Sequence, residues 1–179
     1  MSSNTLAHLL NPSNPSDDAI IIPDGPTISY SQYADEIERV AGILAGAGVM
    51  PGKPVSIILP NSLEFMILFL AVAQAGAVAA PLNSEYTIEE FKFFMEDANS
   101  QLAIVPQGAH KGRDAANELG ITVINASLDN GSLVLQENGK LWTKSSDPKP
   151  PSEEDVALFL HTSGTTSRPK GVPLTHANL

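Results

Sequence analysis

Almost wholly apolar runs alternate with helix-like segments through the middle of the chain, and this alternation limits the possible folds most strongly. The runs Val55–Leu59, Val78–Leu82, Leu102–Val105 and Ile121–Ala126 predict short strands. Strands that are covered on both faces lack the polar alternation of half-exposed strands, because both faces contact the core. Strands separated by helices are typical of parallel sheets. We therefore expect an α/β fold, a doubly wound and mostly parallel sheet with flanking helices.

Residues that start and stop helices occupy the intervals between these runs. Ser29 or Ser31 can cap a helix that ends at Gly46, since short hydroxyl side chains accept hydrogen bonds from the first free amides. The other predicted helices cover Leu63–Ala75, Thr87–Asp97 and His110–Leu119. Glu89 and Glu90 lie in the first turn of one of them, where the helix dipole favours negative charge.

Four parts of the chain are distinguished by composition. Residues 1–18 are polar and are predicted to form a loosely ordered arm. Residues 19–143 form the predicted α/β subdomain, which opens with a hairpin around residues 24–26 and closes with a polar hairpin or excursion over Asn130–Trp142. Residues 144–155 are rich in proline and acidic residues and predict a linker. Residues 156–179 predict a strand, a ligand-binding loop and the start of a helix capped by Thr175.

Charge and composition exclude several classes of protein. The net charge of −10 and the absence of a basic run argue against a nucleic-acid partner. There is no cysteine, which excludes disulfides and zinc–thiolate sites. The apolar stretch Leu63–Ala80 contains Glu64 and Gln74 and is interpreted as a buried helix followed by a strand, with no membrane span. No secretory signal is visible, so a cytoplasmic or peroxisomal location is expected.

Hydroxyl side chains, glycine and one lysine are concentrated between Thr162 and Gly171, in the order T-S-G-T-T-S-R-P-K-G. Hydroxyls can donate to successive phosphate oxygens, and Gly164 lets backbone amides approach an anion. Lys170 adds a mobile positive charge. The Walker A loop requires glycine before its lysine and Ser or Thr after it, whereas Pro169 and Gly171 stand here. The segment thus predicts polyphosphate binding outside the P-loop class.

This segment resembles the phosphate-binding signature of the adenylate-forming (AMP-binding) superfamily, which includes the acyl-CoA synthetases. The family pattern is T-S-G-[ST]-T-G-x-P-K-G followed by T-H-x-N, and residues 175–178 read T-H-A-N. Ser167 departs from the glycine that most members carry. Residues 60–65 and 80–91 are similar to the oxalate–CoA ligase branch, so the resemblance covers nearly the whole chain but only the N-terminal part of the family architecture.

The resemblance implies an ATP- and Mg²⁺-dependent ligase that converts a small carboxylic acid, oxalate in this branch, into an acyl-adenylate and then an acyl-CoA. Lys170 would stabilise charge on the leaving pyrophosphate. The family's adenine, ribose and magnesium-binding segments, its acyl pocket and its C-terminal catalytic lysine are not found in this span. The implied ATP-binding residues are Thr162, Ser163, Gly164, Thr165, Thr166, Ser167 and Lys170.

Two other interpretations remain open from the sequence: a truncated, non-catalytic paralogue that binds nucleotide or a partner, and a partial gene product. The 179-residue chain alone is expected to be inactive. His161 and His176 are interpreted as structural residues in preference to residues that contact a ligand. A solvated helix face is preferred to a metal site for the acidic residues Glu89, Glu90, Glu96 and Asp97. The sequence gives no oligomeric state.

Overall fold

A computed structural model describes residues 5–162 and 169–179 of the chain. Short 3-10 helices cover Leu6–Leu10 and His176–Asn178. The strands and α-helices of these ranges are, in chain order, β1 (Asp18–Ile21), β2 (Thr27–Ser29), α1 (Tyr30–Gly46), β3 (Pro54–Ile57), α2 (Leu63–Gln74), β4 (Val78–Pro81), α3 (Ile88–Ala98), β5 (Leu102–Pro106), α4 (Lys111–Glu118), β6 (Thr122–Asp129), β7 (Ser132–Glu137), β8 (Lys140–Leu141), β9 (Val156–Thr162) and β10 (Lys170–Thr175).

An eight-stranded sheet organises the chain, in the order β10-β9-β4-β3-β5-β6-β7-β8. The five strands from β9 to β6 in this order run parallel to one another. The antiparallel pairs lie at the two ends, where β10 pairs with β9 and where β7 and β8 extend the sheet beyond β6. β1 and β2 form a separate antiparallel hairpin. The expected α/β fold with a mostly parallel sheet is confirmed.

Both faces of the central sheet are buried, as the apolar runs predicted. Along β5, Leu102 and Ile104 join one hydrophobic cluster, while Ala103 and Val105 join another. Because successive side chains of a strand point to opposite faces, the two clusters lie on opposite sides of the sheet. The first cluster contains the buried faces of α1 and α2, and the second contains those of α3 and α4. This arrangement is the doubly wound one.

Side-chain caps begin three of the helices at the predicted positions. Ser29 accepts from the amide of Gln32, and Thr87 accepts from the amide of Glu90. Ser62, at the end of the Pro-Asn-Ser turn, caps α2 in the same way. The Glu90 carboxylate accepts a hydrogen bond from the Thr87 amide, which completes a capping box and lowers the pKa of Glu90. Local sequence therefore defines where these helices begin.

The predicted domain boundaries stay predictions, but contacts within the arm and the linker are well defined. In the arm, Leu6 is buried beside Ala73 of α2 and Ala157 of β9. In the linker, the Ser146 amide donates to the carbonyl of Gly42 in α1 at 3.1 Å. Both segments therefore pack on the helical layer that contains α1 and α2.

The stretch considered as a membrane span is divided between α2 and β4. No helix in residues 5–162 or 169–179 is both long and apolar enough to cross a bilayer. The interpretation of this stretch as a buried helix followed by a strand agrees with these elements.

Candidate functional site

The predicted phosphate-binding segment connects β9 with β10 at one edge of the sheet. β9 runs parallel to β4, and β4 runs parallel to β3, so all three strands end at the same edge. In open α/β sheets, ligands bind outside the carboxyl ends of the strands. A cleft of about 430 Å³ opens at this edge, lined by Pro60 and Asn61 after β3 and by Leu82 and Asn83 after β4. The described ends of the segment, Thr162 and Lys170, therefore lie where this fold class places its ligands.

Two of the predicted site residues lie within the described ranges. Thr162 ends β9, Lys170 begins β10, and the two are direct partners across the antiparallel ladder. Directly opposed residues of such a pair project to the same face. Both are exposed. The other five predicted site residues lie outside the described residues; they are Ser163, Gly164, Thr165, Thr166 and Ser167.

The other face of the hairpin packs against α3. His161 and Gly171 are the next pair along the ladder. A Cβ atom placed on Gly171 would collide with the ring of Phe159 and would lie 3.2 Å from Oδ2 of Asp97. Glycine at position 171 therefore allows β10 to lie directly against the Phe159 ring.

His161 joins β9 to the end of α3. Its Nε2 lies 2.9 Å from Oδ2 of Asp97, and the histidine side chain is only 7% exposed. The rings of Phe94 and Phe159 lie 4.6 and 5.2 Å from the imidazole, measured between centroids. An ionised carboxylate can only accept, so Nε2 carries the proton of this hydrogen bond. The sequence predicted a half-buried histidine here, but gave no signal for Asp97 as its partner.

His176, which follows β10, is buried inside the fold and lies away from the exposed Thr162–Lys170 face. Its Nδ1 accepts a hydrogen bond from the amide of Leu6, and the residue is 4% exposed. Burial lowers the pKa of His176, and the negative charge of Asp155 opposes this shift in part. The arrangement is consistent with the structural role predicted for His176.

The described residues form no metal-binding cluster. Within residues 5–162 and 169–179, no three His, Asp or Glu side chains converge. Of the acidic residues on α3, Glu90 serves the helix cap, Glu89 pairs with Lys92 and Asp97 pairs with His161. Three of the four carboxylates of α3 are thus bound to neighbouring protein groups.

Comparison with known proteins agrees with this geometry. Residues 11–179 match the model of a family described as AMP-binding enzyme. The chain belongs to the AMP-binding enzyme family. Among curated members, the oxalate–CoA ligase of Arabidopsis thaliana is 42% identical, in an alignment that covers 100% of this chain and 36% of the relative. A probable CoA ligase of Humulus lupulus, CCL9, is 41% identical over 90% of this chain and 32% of its own length.

Solved structures of other proteins share this fold. The apo structure of MatB from Rhodopseudomonas palustris superposes with a TM-score of 0.80 and 29% sequence identity. That alignment covers 99% of this chain and 36% of MatB. The chain therefore spans about a third of the length of the AMP-binding relatives that it matches.

Proposed function

We propose that this chain forms the N-terminal part of an ATP-dependent, AMP-forming acid–CoA ligase that acts on oxalate. The observation that carries the proposal is the direct pairing of exposed Thr162 and Lys170 at the carboxyl edge of the parallel strands. These residues bracket the hydroxyl-rich segment of the family signature. Membership of the AMP-binding family supports the reaction class.

The residues at the two ends of the segment suit a polyphosphate. Lys170 offers an exposed ammonium group, and Thr162 offers a hydroxyl on the same face of the hairpin. The segment between them contributes the hydroxyls of Ser163, Thr165, Thr166 and Ser167 and the glycine at 164. Thr162 to Ser167 would hold the β- and γ-phosphates of ATP, while Lys170 would neutralise charge on them.

The proposed reaction has two steps. In the first, a carboxylate oxygen of the acid attacks the α-phosphorus of ATP, and the bond to the bridging oxygen of the β-phosphate breaks. Pyrophosphate leaves, and Lys170 stabilises the negative charge that develops on it. In the second, the sulfur of coenzyme A attacks the acyl carbon, its proton is lost to solvent or base, and AMP leaves.

Mg²⁺ would screen the phosphate charges in the first step. The described part of the chain offers no cluster of acidic side chains for it. As the family resemblance implies, we propose that the metal ligands lie outside these ranges. The acyl pocket and the coenzyme A site are assigned outside them as well.

Oxalate is proposed as the acid because the relative that aligns with the entire chain, at 42% identity, is named oxalate–CoA ligase. A second candidate function is nucleotide binding without turnover. It is favoured by one observation, which is that the exposed ammonium of Lys170 and hydroxyl of Thr162 can bind phosphate without an acyl pocket. The two functions differ in whether an acyl-adenylate is formed.

Acid-dependent exchange of labelled pyrophosphate into ATP tests both candidates. The full-length gene product that contains this sequence would be assayed with oxalate, malonate and acetate, and its coenzyme A products identified by mass. We expect faster pyrophosphate exchange with oxalate than with malonate or acetate, and we expect oxalyl-CoA to be formed. Exchange with another acid alone would overturn the substrate assignment. Nucleotide binding without exchange for any acid of a broad panel would favour the binding function.

The 179-residue chain would be assayed beside the full-length product. We expect the chain alone to give no exchange, because the adenine, metal and acyl sites are assigned elsewhere. Exchange by the chain alone would contradict that assignment.

A further inference from the structure

We propose that Asp97 and His161 are positioning residues, which hold the two ends of the phosphate-binding segment at the spacing that ATP requires. This inference rests on the proposed function for its consequence in catalysis. Its structural part, that the pair holds the hairpin against α3, does not depend on that function.

Asp97 is hydrogen-bonded to one of the strands that flank the segment and lies close to the other. Its Oδ2 lies 2.9 Å from Nε2 of His161 on β9. The same oxygen lies 3.2 Å from the position that a Cβ on Gly171 of β10 would occupy. His161 and Gly171 are ladder partners, and the next pair is Thr162 and Lys170. One carboxylate oxygen on α3 is therefore a single residue away from each end of the segment.

Helix α3 itself gives Asp97 little stabilisation. Asp97 is the second-last residue of α3, and a helix C-terminus favours positive groups over carboxylates. The Nε2–H donor of His161 compensates for this placement. The imidazole in turn is enclosed by Phe93, Phe94 and Phe159 and is 7% exposed. The enclosed imidazole therefore has little freedom to move, and it anchors the Asp97 side chain, which is 42% exposed.

The pair lies on the face of the hairpin away from Thr162 and Lys170. Neighbouring residues of a strand project to opposite faces, so the Asp97 carboxylate is separated from the proposed phosphate position by the backbone of β9 and β10. Asp97 can therefore hold the strands without repelling the phosphates. It acts through the backbone and does not contact the reacting atoms.

Four variants separate the hydrogen bond from packing. Asp97→Ala removes the acceptor, and His161→Phe removes the donor while it keeps a ring among the phenylalanines. His161→Gln is the conservative variant, because its Nε2 amide can still donate to Asp97. Glu96→Ala is the matched control, an adjacent exposed carboxylate of α3.

The first measurement is hydrogen exchange of the free full-length gene product, without nucleotide. In Asp97→Ala and His161→Phe we expect faster exchange at the amides of residues 160–162 and 170–172, with β3 and β5 unchanged. Glu96→Ala should match the wild type. Unchanged exchange in both β9 and β10 of the first two variants would overturn the proposal, whatever the enzyme does.

The second measurement is the Michaelis constant of each substrate in pyrophosphate exchange. We expect Asp97→Ala and His161→Phe each to raise KM for ATP by about tenfold, as for loss of one hydrogen bond to a charged group. KM for the acid should stay the same, and His161→Gln should restore most of the ATP affinity. A lowered melting temperature with unchanged KM for ATP would overturn the role in ATP positioning.

The hydrogen-exchange and pyrophosphate-exchange measurements also distinguish this proposal from the proposed function. The wild type could give no pyrophosphate exchange with any acid while the variants still show faster hydrogen exchange. In that case the ligase assignment fails. The role of the pair in holding the hairpin then stands, and its role in ATP positioning falls with the ligase assignment.

Discussion

Nδ1 of His176 accepts a hydrogen bond from the backbone amide of Leu6 at 3.2 Å, so two residues 170 positions apart in the chain are in contact. Leu6 is itself buried beside α2, and His176 begins the 3-10 helix after β10. The contact ties the first described residues to the end of the hairpin that carries the candidate site. An imidazole nitrogen can accept only while it is unprotonated, which makes this contact sensitive to pH.

Stability should fall in acid through His176. Its folded-state pKa lies below the ordinary value of about 6.5, mainly because of burial. Below that ordinary value the unfolded chain takes up a proton that the folded chain does not, so unfolding becomes more favourable. The contribution of His176 to the free energy of unfolding should therefore be constant above about pH 7 and should decrease as pH falls through about 6.5. Urea titrations of the chain at pH 7.5 and 5.5 measure the difference.

The control for this pH effect is His176→Asn, whose side-chain oxygen can accept from Leu6 without titrating. A smaller loss of stability between pH 7.5 and 5.5 than in the wild type is expected. His110 adds to the same slope, because burial lowers its pKa as well. An identical slope in the wild type and His176→Asn would contradict the assignment to His176.

Lys170→Ala should reduce pyrophosphate exchange by about 10²–10³, the usual cost of losing one contact to developing charge. Lys170 is exposed and pairs with Thr162 only through the backbone ladder, so folding should be preserved. The matched control is Lys140→Ala. Lys140 is exposed and lies on β8, at the other end of the strand order from β10. Steady-state exchange rates with equal melting temperatures would check the prediction, and a full rate in Lys170→Ala would refute the assigned role.

Gly171→Ala should destabilise the chain, although alanine is usually favoured over glycine within a strand. The added methyl group would collide with the ring of Phe159, and overpacking of this kind costs about 1–3 kcal/mol. Phe159→Leu shortens the opposing side chain and should recover part of the loss in the double variant. Urea unfolding of the two single variants and the double variant measures the coupling. Additive effects would show that the Phe159 ring is not the obstacle.

Gly46→Ala should cost more stability than Gly42→Ala, although both glycines lie in α1. A Cβ on Gly46 would collide with the backbone carbonyl of Lys144, which cannot move alone. At Gly42 the nearest atom is the Ser145 hydroxyl, which can rotate away. We expect a loss of about 1–3 kcal/mol at Gly46 and less at Gly42. Thermal unfolding of both variants tests the order, and equal losses would argue against close packing of residue 144 on α1.

Sequence patterns were sufficient for the elements whose signals are local. The caps at Ser29 and Thr87 and the strand over Ile121–Ala126 were predicted from residue types within a few positions. The polar hairpin over Asn130–Trp142 is present as β7 and β8, with Asn138 and Gly139 at positive φ in its turn. Strand ends differ by one to three residues, because ladder partners decide where pairing stops.

Contacts between distant segments had no signal in the sequence. Asp97 and His161 are 64 residues apart, and Asp97 appeared only as one of four acidic residues on a solvated helix. The burial of Leu6 was equally hidden within a polar arm. Both depend on how the completed sheet places β9, which local periodicity does not encode. The predicted phosphate-binding roles of residues 162–167 and 170 stay predictions.

In the described part of the chain, β10 is paired on one side only, with β9. An edge strand can tilt or shift by straining a single ladder, whereas a shift of β3 or β4 would disturb two ladders and the layers of helices above and below. The hairpin that carries the candidate site can therefore adjust its position at the expense of one ladder, while the parallel centre of the sheet stays in place.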